Sequence, residues 1–267
     1  MTYTVNCSIL LTELPLLERP AAAKKAGFDA VEFWWPFSTS TPSASEVAAF
    51  ENAITDAGVQ LTGLNFNAGD MPGGDRGLVS WPERQADFRA NVPVVVGIGE
   101  RLGCRAFNAL YGNRVAGVSP EEQDAVAIEN LAFAADAVSR IGGTVLLEPV
   151  SGADRYPLLT AQDALDVIEK VTAKTGKSNI KLLADFYHLS VNGDDVGQVI
   201  ENHAKDFGHI QIADAPGRGA PGSGDLPLGE WIARSRELGY DGHIGLEYKE
   251  PADAAFNWAI RDHAARS

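Results

Sequence analysis

The segment IKLLADFYH, residues 180–188, is apolar apart from Lys181 up to an aspartate near its end. Three further segments have the same form, namely TVLLEP at 144–149, HIQIAD at 209–214 and HIGLEY at 243–248. Each carries one polar side chain at or near the end of its apolar part: Glu148, Asp185, Gln211 and Glu247. Their separations of 37, 26 and 36 residues match a repeat of one strand and one helix. Consecutive parallel strands would bring all four side chains to one end of a sheet.

Glycines follow the helix-like stretches of the chain at regular intervals. They are Gly27, Gly58, Gly103, Gly142, Gly176, Gly208 and Gly239. Each stands where the C-terminus of a helix favours a left-handed residue before the next strand begins. Seven such stops and a C-terminal helix make eight units, which predicts a single (β/α)8 TIM barrel domain over residues 1–267. The alternative is an open doubly wound sheet, but no glycine-rich nucleotide turn follows the first strand, TVNCS at 4–8.

Local signals add helix starts and loops to this pattern. Ser119 and Thr160 each have an acidic residue three positions later and are predicted to be N-caps. The glycine-rich stretches 71–77 and 216–224 lack the lysine and hydroxyl spacing of a phosphate-binding loop. We expect them to be long loops after strands three and seven, at the catalytic face of the barrel.

Composition and charge narrow the classes of partner. The chain has 22 basic and 36 acidic residues and a net charge of −14, which disfavours nucleic acid and anionic lipid as partners. The N-terminus has no basic leader and its apolar stretch is interrupted, which predicts a cytoplasmic protein without a signal peptide or membrane anchor. Cys7 and Cys104 lie in apolar segments and are expected to pack as small hydrophobic residues. The sequence leaves the formation of a homo-oligomer open.

The alternation of side chains along a strand indicates which residues face the barrel interior. Glu148, Asp185, Gln211 and Glu247 all fall on the inward face, while His209, lower in its strand, is expected to pack in the core. Three carboxylates and an amide oxygen at one point would repel one another without a divalent cation between them. Oxygen ligands without a cysteine favour Mg²⁺ or Mn²⁺ over Zn²⁺. A solvated strand end or a helix N-cap is the alternative role for each acid taken alone.

Two further side chains are candidates for binding a substrate. His188 stands three residues after Asp185, and Arg218 seven residues after Gln211. Arginine offers paired donors to a carboxylate, and histidine can bond a carbonyl or hydroxyl oxygen. The alternatives are a salt bridge within the loop for Arg218 and a capped or packed ring for His188.

The same residues carry a resemblance to a known family. The stretches AAAKKAGFDAVEF, LNFNAGD, LLEPV, ADFYH, GHIQIADAPGRG and IGLEY resemble the hydroxypyruvate isomerase family of the xylose-isomerase-like barrels. The resemblance covers essentially the whole chain and implies a small keto-acid or sugar substrate. It departs from the family pattern at 149–157, where a longer loop is usual, and at Asp225, where a glutamate is usual.

The resemblance also implies residue roles and a reaction. Glu148 and Glu247 would be the acid and base, and together with Asp185 and Gln211 they would hold the metal. His188 and Arg218 match positions that contact substrate in related ketose epimerases. The implied reaction interconverts hydroxypyruvate and tartronate semialdehyde by proton transfer through a metal-stabilised enediolate. A glutamine at position 211, where sugar epimerases generally place histidine, favours this substrate.

Other activities on the same barrel remain as alternatives. An isomerase or 3-epimerase of another small ketose or keto sugar acid, for example a 2-oxo-tetronate, would use the same acid and base. A metal-dependent endonuclease would need a histidine-rich zinc cluster and a basic groove, which five histidines and a charge of −14 disfavour. A non-catalytic sugar-binding barrel would be expected to lack part of the glutamate and metal set.

Overall fold

Eight parallel strands close into a barrel in a computed structural model that describes residues 2–259. Each strand pairs with the next along the chain, and β8 pairs with β1. The strands are β1 Tyr3–Asn6, β2 Ala30–Phe33, β3 Gln60–Asn65, β4 Ala106–Asn108, β5 Thr144–Leu147, β6 Ile180–Asp185, β7 Phe207–Ile212 and β8 Ile244–Leu246. The predicted (β/α)8 fold is confirmed.

Helices follow the strands and cover the outside of the barrel. They are α1 Arg19–Lys25, α2 Ala44–Ala57, α3 Gln85–Leu102, α4 Pro120–Ser139, α5 Ala161–Thr175, α6 Phe186–Val191, α7 Val196–His203 and α8 Leu228–Glu237. Most of the predicted C-terminal helix falls on residues 260–267, outside the described residues. No helix in the described part of the chain is long and apolar enough to cross a membrane.

The helix boundaries test the capping and glycine predictions. Ser119 caps α4 and Thr160 caps α5, each accepting a hydrogen bond from the backbone N–H three residues on. Six of the seven predicted stops have positive φ angles. Gly208 is the exception, because it lies inside β7 and α7 ends earlier, at His203. A Cβ at Gly208 would lie 2.5 Å from Cδ2 of Leu146 on β5, so glycine leaves room there for the Leu146 side chain.

The main apolar core lies between the strands and the helices. Phe33 on β2 contacts Phe50 on α2 edge to face, with ring centroids 5.1 Å apart. The Phe107 ring on β4 packs where Gly99 of α3 leaves space. Cys7 and Cys104 are buried and free, and burial raises the pKa of the Cys104 thiol to about 12. Their predicted role as packed hydrophobic residues is confirmed.

Strand register positions the functional end of the barrel. Asp185 on β6 pairs with Gln211 on β7, which in turn pairs with Gly245 on β8. The register therefore brings Asp185 and Gln211 to neighbouring positions near the carboxyl ends of their strands. The glycine-rich stretches 71–77 and 216–224 follow β3 and β7 as predicted, so both lie at the carboxyl ends of the strands.

Candidate active site

The four polar residues lie at or near the carboxyl ends of four successive strands of the barrel. Glu148 directly follows β5, Asp185 ends β6, Gln211 lies in β7 and Glu247 directly follows β8. All four are buried, with 0–4% of their surface exposed. Such burial of three carboxyl groups excludes the alternative in which each acid is merely a solvated strand end.

A cleft of about 1410 Å³ opens above these strand ends. Four of the predicted residues line it, and three aromatic side chains form part of its wall: Glu148, His188, Arg218, Glu247, Trp34, Trp35 and Phe37. Asp185 is fully buried, and Gln211 borders a separate void of about 10 Å³ inside the barrel. The predicted set therefore divides into a group that lines the cleft and a deeper pair.

Asp185 has one oxygen bound to the protein and one oxygen free. Its Oδ1 accepts hydrogen bonds from the backbone N–H groups of Tyr187 at 2.8 Å and His188 at 3.2 Å, which caps α6. Its Oδ2 is buried and has no hydrogen-bond partner among the described residues. The N-cap alternative is thus correct for one oxygen, and the other is available to a ligand.

His188 is held in one tautomer by Ser151. The backbone N–H of Ser151 donates to Nδ1 of His188 at 3.0 Å, so Nδ1 is an acceptor and the ring proton lies on Nε2. That Nε2 is 3.7 Å from Oδ2 of Asp185 and 3.9 Å from Oε1 of Glu148. Burial lowers the pKa of His188 to about 4, which keeps the ring neutral. His188 therefore offers one N–H donor beside the carboxylates.

Arg218 reaches the same carboxylates from the loop after β7. Its Nη2 lies 3.1 Å from Oε1 of Glu247 and 3.7 Å from Oδ2 of Asp185. This nitrogen nevertheless makes no aligned hydrogen bond within residues 2–259. Burial alone would lower the pKa of Arg218, but the negative charges of Glu247 and Asp185 outweigh burial and raise it. The guanidinium is thus a fixed cation with an unused donor at the cleft wall.

The backbone around Arg218 is shaped by Asp214. Arg218 has a φ of 58°, a left-handed conformation that is costly for a residue with a Cβ. Oδ1 of Asp214 accepts from the N–H groups of Ala215 at 2.9 Å and Leu226 at 3.0 Å, and Oδ2 accepts from Gly222 at 2.9 Å. One buried carboxylate therefore ties both ends and the middle of the loop.

The two glutamates each hold one hydrogen bond that sequence reasoning missed. Nδ2 of Asn108 donates to Oε2 of Glu148 at 2.7 Å, and Nε1 of Trp34 donates to Oε1 of Glu247 at 3.0 Å. Burial, with the charge of Asp185, raises the pKa of Glu148 to about 8. Burial raises the pKa of Glu247 well above its ordinary value, although Arg218 opposes the shift. Both carboxyl groups therefore hold a proton at higher pH than an exposed glutamate does, which suits them to proton transfer.

The free oxygen atoms fit a cation. Asp185 Oδ2, Gln211 Oε1 and Glu247 Oε2 are buried without hydrogen-bond partners in the described part of the chain. Atoms of Glu148, Asp185 and His188 also lie within 4.8 Å of one another, so this trio could hold a metal ion. Because Nε2 of His188 carries a proton, the carboxylates are the better ligands of the three.

Sequence reasoning also missed Glu32, which lies inside the barrel on β2. Its carboxylate is 3% exposed and bonds to His209, whose Nε2 lies 2.7 Å from Oε2 of Glu32. His209 is buried as predicted, but as part of a polar network rather than an apolar core. The sequence does contain a signal for Glu32. In the strand AVEF this glutamate alternates with Val31 and Phe33, which face outward, so Glu32 falls on the inward face.

Comparisons with known proteins place this geometry in a family. The model of the xylose isomerase-like TIM barrel family matches residues 20–262. The chain belongs to that family. A protein of Streptomyces coelicolor named putative hydroxypyruvate isomerase is 55% identical to this family member over 263 residues, which is 96% of this chain and 94% of that protein. A 2-oxo-tetronate isomerase of Cupriavidus necator is 35% identical over 262 residues, or 96% of each chain.

A solved structure agrees with these relatives on the fold of the family. A crystal structure from Brucella melitensis, described as an AP endonuclease of family 2, is 27% identical and has a TM-score of 0.86 over 97% of this chain and 98% of that chain. The predicted resemblance to the hydroxypyruvate isomerase family is confirmed by the identity and coverage of the curated relatives. This member of the xylose isomerase-like family is therefore an isomerase, as predicted.

Proposed function

We propose that this protein interconverts hydroxypyruvate and tartronate semialdehyde, with Glu148 and Glu247 as the acid and base. The observation that carries the proposal is a pair of buried glutamates with raised pKa values on one cleft, beside a neutral histidine donor and an arginine. The name of the Streptomyces coelicolor relative supports the choice of substrate.

The reaction moves one proton between adjacent carbons. One glutamate takes a proton from the hydroxymethyl carbon, and the electron pair of that C–H bond forms the double bond of an enediolate. The other glutamate delivers a proton to the former carbonyl carbon. The hydroxyl proton passes to the former carbonyl oxygen, so the atoms balance and the aldehyde of tartronate semialdehyde results. The two glutamates exchange roles in the reverse direction.

The enediolate develops negative charge beside the buried carboxylates, so the site must stabilise it. His188 would donate a hydrogen bond from its Nε2–H to a substrate oxygen. Arg218 would bind the substrate carboxylate through its unused donor. Glu148, Asp185, Gln211 and Glu247 would hold Mg²⁺ or Mn²⁺, since three of them present unpartnered buried oxygens. When bound, such an ion supplies Lewis-acid stabilisation of the substrate oxygens.

Turnover in D2O tests the proposal. Metal-stripped protein is given hydroxypyruvate with and without added Mg²⁺ or Mn²⁺, and NMR follows tartronate semialdehyde and deuterium at carbon. We expect conversion that depends on the ion, with solvent deuterium in the product. Absence of both product and exchange with either ion would remove hydroxypyruvate as the substrate.

Substitution of each glutamate tests the roles of the pair. Glu148→Gln and Glu247→Gln each keep the size of the side chain and should abolish turnover while the far-ultraviolet circular dichroism stays that of the barrel. Glu121→Gln, at an exposed position in the first turn of α4, is the matched control and should turn over normally. A glutamine variant with near-normal activity would exclude that glutamate from proton transfer.

A four-carbon keto acid is the second candidate substrate. The cleft of about 1410 Å³ is larger than a three-carbon acid requires, and the Cupriavidus necator relative is named 2-oxo-tetronate isomerase. The proton transfer would be the same, with the extra carbon in the open part of the cleft. Comparison of kcat/KM for hydroxypyruvate and a 2-oxo-tetronate separates the two candidates.

Cleavage of nucleic acid is not favoured, despite the description of the Brucella melitensis structure. Among the described residues that line the cleft, His188 is the one histidine, whereas a multi-zinc nuclease needs several. The net charge of −14 also opposes binding to a phosphate backbone.

A further inference from the structure

The structure assigns a role to Glu32, which lies beneath the proposed catalytic residues. We propose that Glu32 is a positioning residue: it orients the side-chain amide of Gln211 so that the oxygen faces the carboxylate cluster, and it thereby sets the affinity of the site for a divalent cation. This inference rests on the cation of the proposed function, but not on the identity of the substrate.

Three side chains on two strands surround the Glu32 carboxylate with hydrogen-bonding groups. Oε1 accepts from Nδ2 of Asn6 on β1 at 3.1 Å and from Nε2 of Gln211 on β7 at 2.6 Å. Oε2 lies 2.7 Å from Nε2 of His209, also on β7. All four side chains are at most 5% exposed. A buried carboxylate that accepts this many bonds has a fixed orientation.

The contact between Glu32 and Gln211 determines which end of the amide faces the site. If the amide were turned over, its oxygen would lie against the Glu32 carboxylate, and two acceptors would face each other without a proton between them. The amide nitrogen is therefore held on the Glu32 side. Oε1 of Gln211 projects away from Glu32 and has no hydrogen-bond partner among residues 2–259. An oxygen in this state is ready to bind a cation.

Two glycines on the neighbouring strands make room for this arrangement. A Cβ at Gly245 on β8 would lie 2.8 Å from Oε1 of Glu32 and 2.6 Å from Cγ of Gln211. A Cβ at Gly63 on β3 would lie 3.3 Å from Cβ of Glu32. The space that holds the carboxylate and the amide is therefore built by the sequence of four strands, β2, β3, β7 and β8.

Glu32 acts through Gln211 and not on a substrate. It borders the internal void of about 10 Å³ and is absent from the described residues that line the cleft. A residue behind a metal ligand that fixes its orientation typically contributes 10- to 100-fold to metal affinity or activity. This places Glu32 among the residues that control cation binding although it would not contact the cation.

Binding of Mn²⁺ to metal-stripped protein without substrate tests the inference. We expect Glu32→Met, which keeps the length of the side chain but removes the oxygen that accepts from Nε2 of Gln211, to weaken Mn²⁺ binding by about 10- to 100-fold, measured by electron paramagnetic resonance or calorimetry. Asn6→Ala is the matched control, because it also removes a hydrogen bond to Glu32 but leaves the contact with Gln211. It should bind Mn²⁺ nearly as the wild-type protein does. Equal Mn²⁺ affinity of wild type and Glu32→Met would overturn the inference.

A reversed pair separates positioning from general damage to the barrel. The double variant Glu32→Gln with Gln211→Glu keeps one carboxylate and one amide in contact and still leaves one oxygen facing the site. The double variant should recover Mn²⁺ binding. Gln211→Glu alone places two carboxylates together, so it should be less stable and bind Mn²⁺ more weakly than the double variant. Failure of the reversed pair to recover binding, with the barrel folded, would count against positioning.

The outcomes for the inference and for the proposed function are distinct. If wild-type protein binds Mn²⁺ but does not isomerise hydroxypyruvate, the substrate assignment is wrong. The role of Glu32 is then decided by the Mn²⁺ affinities of the variants alone. If wild-type protein binds no Mn²⁺, the role of Glu32 is overturned together with the cation of the proposed mechanism.

Discussion

The backbone N–H of Ser151 donates a hydrogen bond to Nδ1 of His188 at 3.0 Å. This contact fixes the ring proton on Nε2, toward Asp185 and Glu148. We predict that ¹⁵N NMR of the metal-free protein shows the Nε2–H tautomer for His188 at neutral pH.

Removal of this donor in His188→Ala should lower kcat by about 100-fold, since a single oxyanion donor contributes on that order.

The control for His188 is Ser151→Ala. It removes the hydroxyl group, whose Oγ lies 2.7 Å from Nδ1, but retains the backbone N–H that determines the tautomer. The NMR signature of His188 should persist and the loss of activity should be much smaller than for His188→Ala. A change to the Nδ1–H form in Ser151→Ala would show that the hydroxyl, not the backbone, controls the ring.

The stability of the metal-free protein should fall as the pH rises from 6.5 to 8. The pKa of Glu148 is raised from 4.5 to about 8 by burial, so in this window the folded state holds a proton that the unfolded state has lost. The free energy of unfolding then decreases with pH by at most about 1.4 kcal/mol per pH unit for such a group. Urea unfolding at several pH values measures the slope.

Burial also raises the pKa of Glu247, which adds to the same slope, so two features serve to isolate the contribution of Glu148. The pKa of His188 is lowered from 6.5 to about 4, so this ring is neutral in the folded state throughout the window and contributes little there. Glu148→Gln cannot ionise and should reduce the slope. Stability that rises with pH between 6.5 and 8 in the metal-free wild type would contradict a protonated Glu148.

Arg218→Gln should weaken the use of anionic substrates. A charge-assisted hydrogen bond contributes about 1.5–3 kcal/mol, which corresponds to roughly 10- to 100-fold in kcat/KM for hydroxypyruvate. An uncharged ketose such as dihydroxyacetone, which lacks a carboxylate, should lose less if it is turned over at all. Equal losses for both substrates would assign Arg218 to the glutamate cluster and not to the substrate.

A pair of glycines on α3 tests the packing between helix and barrel. A Cβ at Gly99 would lie 2.8 Å from Cε1 of Phe107, so Gly99→Ala should destabilise the fold by about 1–3 kcal/mol through overpacking. At Gly97 on the same helix the nearest atom is the flexible end of Arg101, 3.1 Å away. Gly97→Ala should instead stabilise by about 0.5–1 kcal/mol through helix propensity. Thermal unfolding of both variants measures the contrast.

The barrel and the residues at its strand ends were predictable because each rests on a local pattern. Glu148, Asp185 and Glu247 end apolar strands, and the alternation of side chains directs them inward wherever parallel strands close. Gly208 shows the limit of such patterns. A glycine that ends a helix and a glycine that leaves room for a core side chain look alike in sequence, and only the position of Leu146 in the folded barrel distinguishes them.

The partners of the site residues were not predictable for a different reason. Trp34 and Glu247 are 213 residues apart in the chain, and Glu32 and Gln211 are 179 apart. Such contacts depend on the register and the curvature of the closed barrel, which no single segment contains. The tautomer of His188 likewise depends on a backbone N–H 37 residues away.

The loop that carries Arg218 is tied by a side chain outside the catalytic set. Asp214 holds the loop through backbone N–H groups, and the carbonyl oxygen of Arg218 accepts from the backbone N–H of Lys249 at 2.8 Å. The Arg218 side chain adds a further tie, because its Nε donates to the backbone carbonyl oxygen of Glu247 at 3.1 Å. The group that this loop presents to a ligand therefore rests directly on Glu247, so replacing Arg218 to change recognition would also disturb the glutamate proposed for proton transfer.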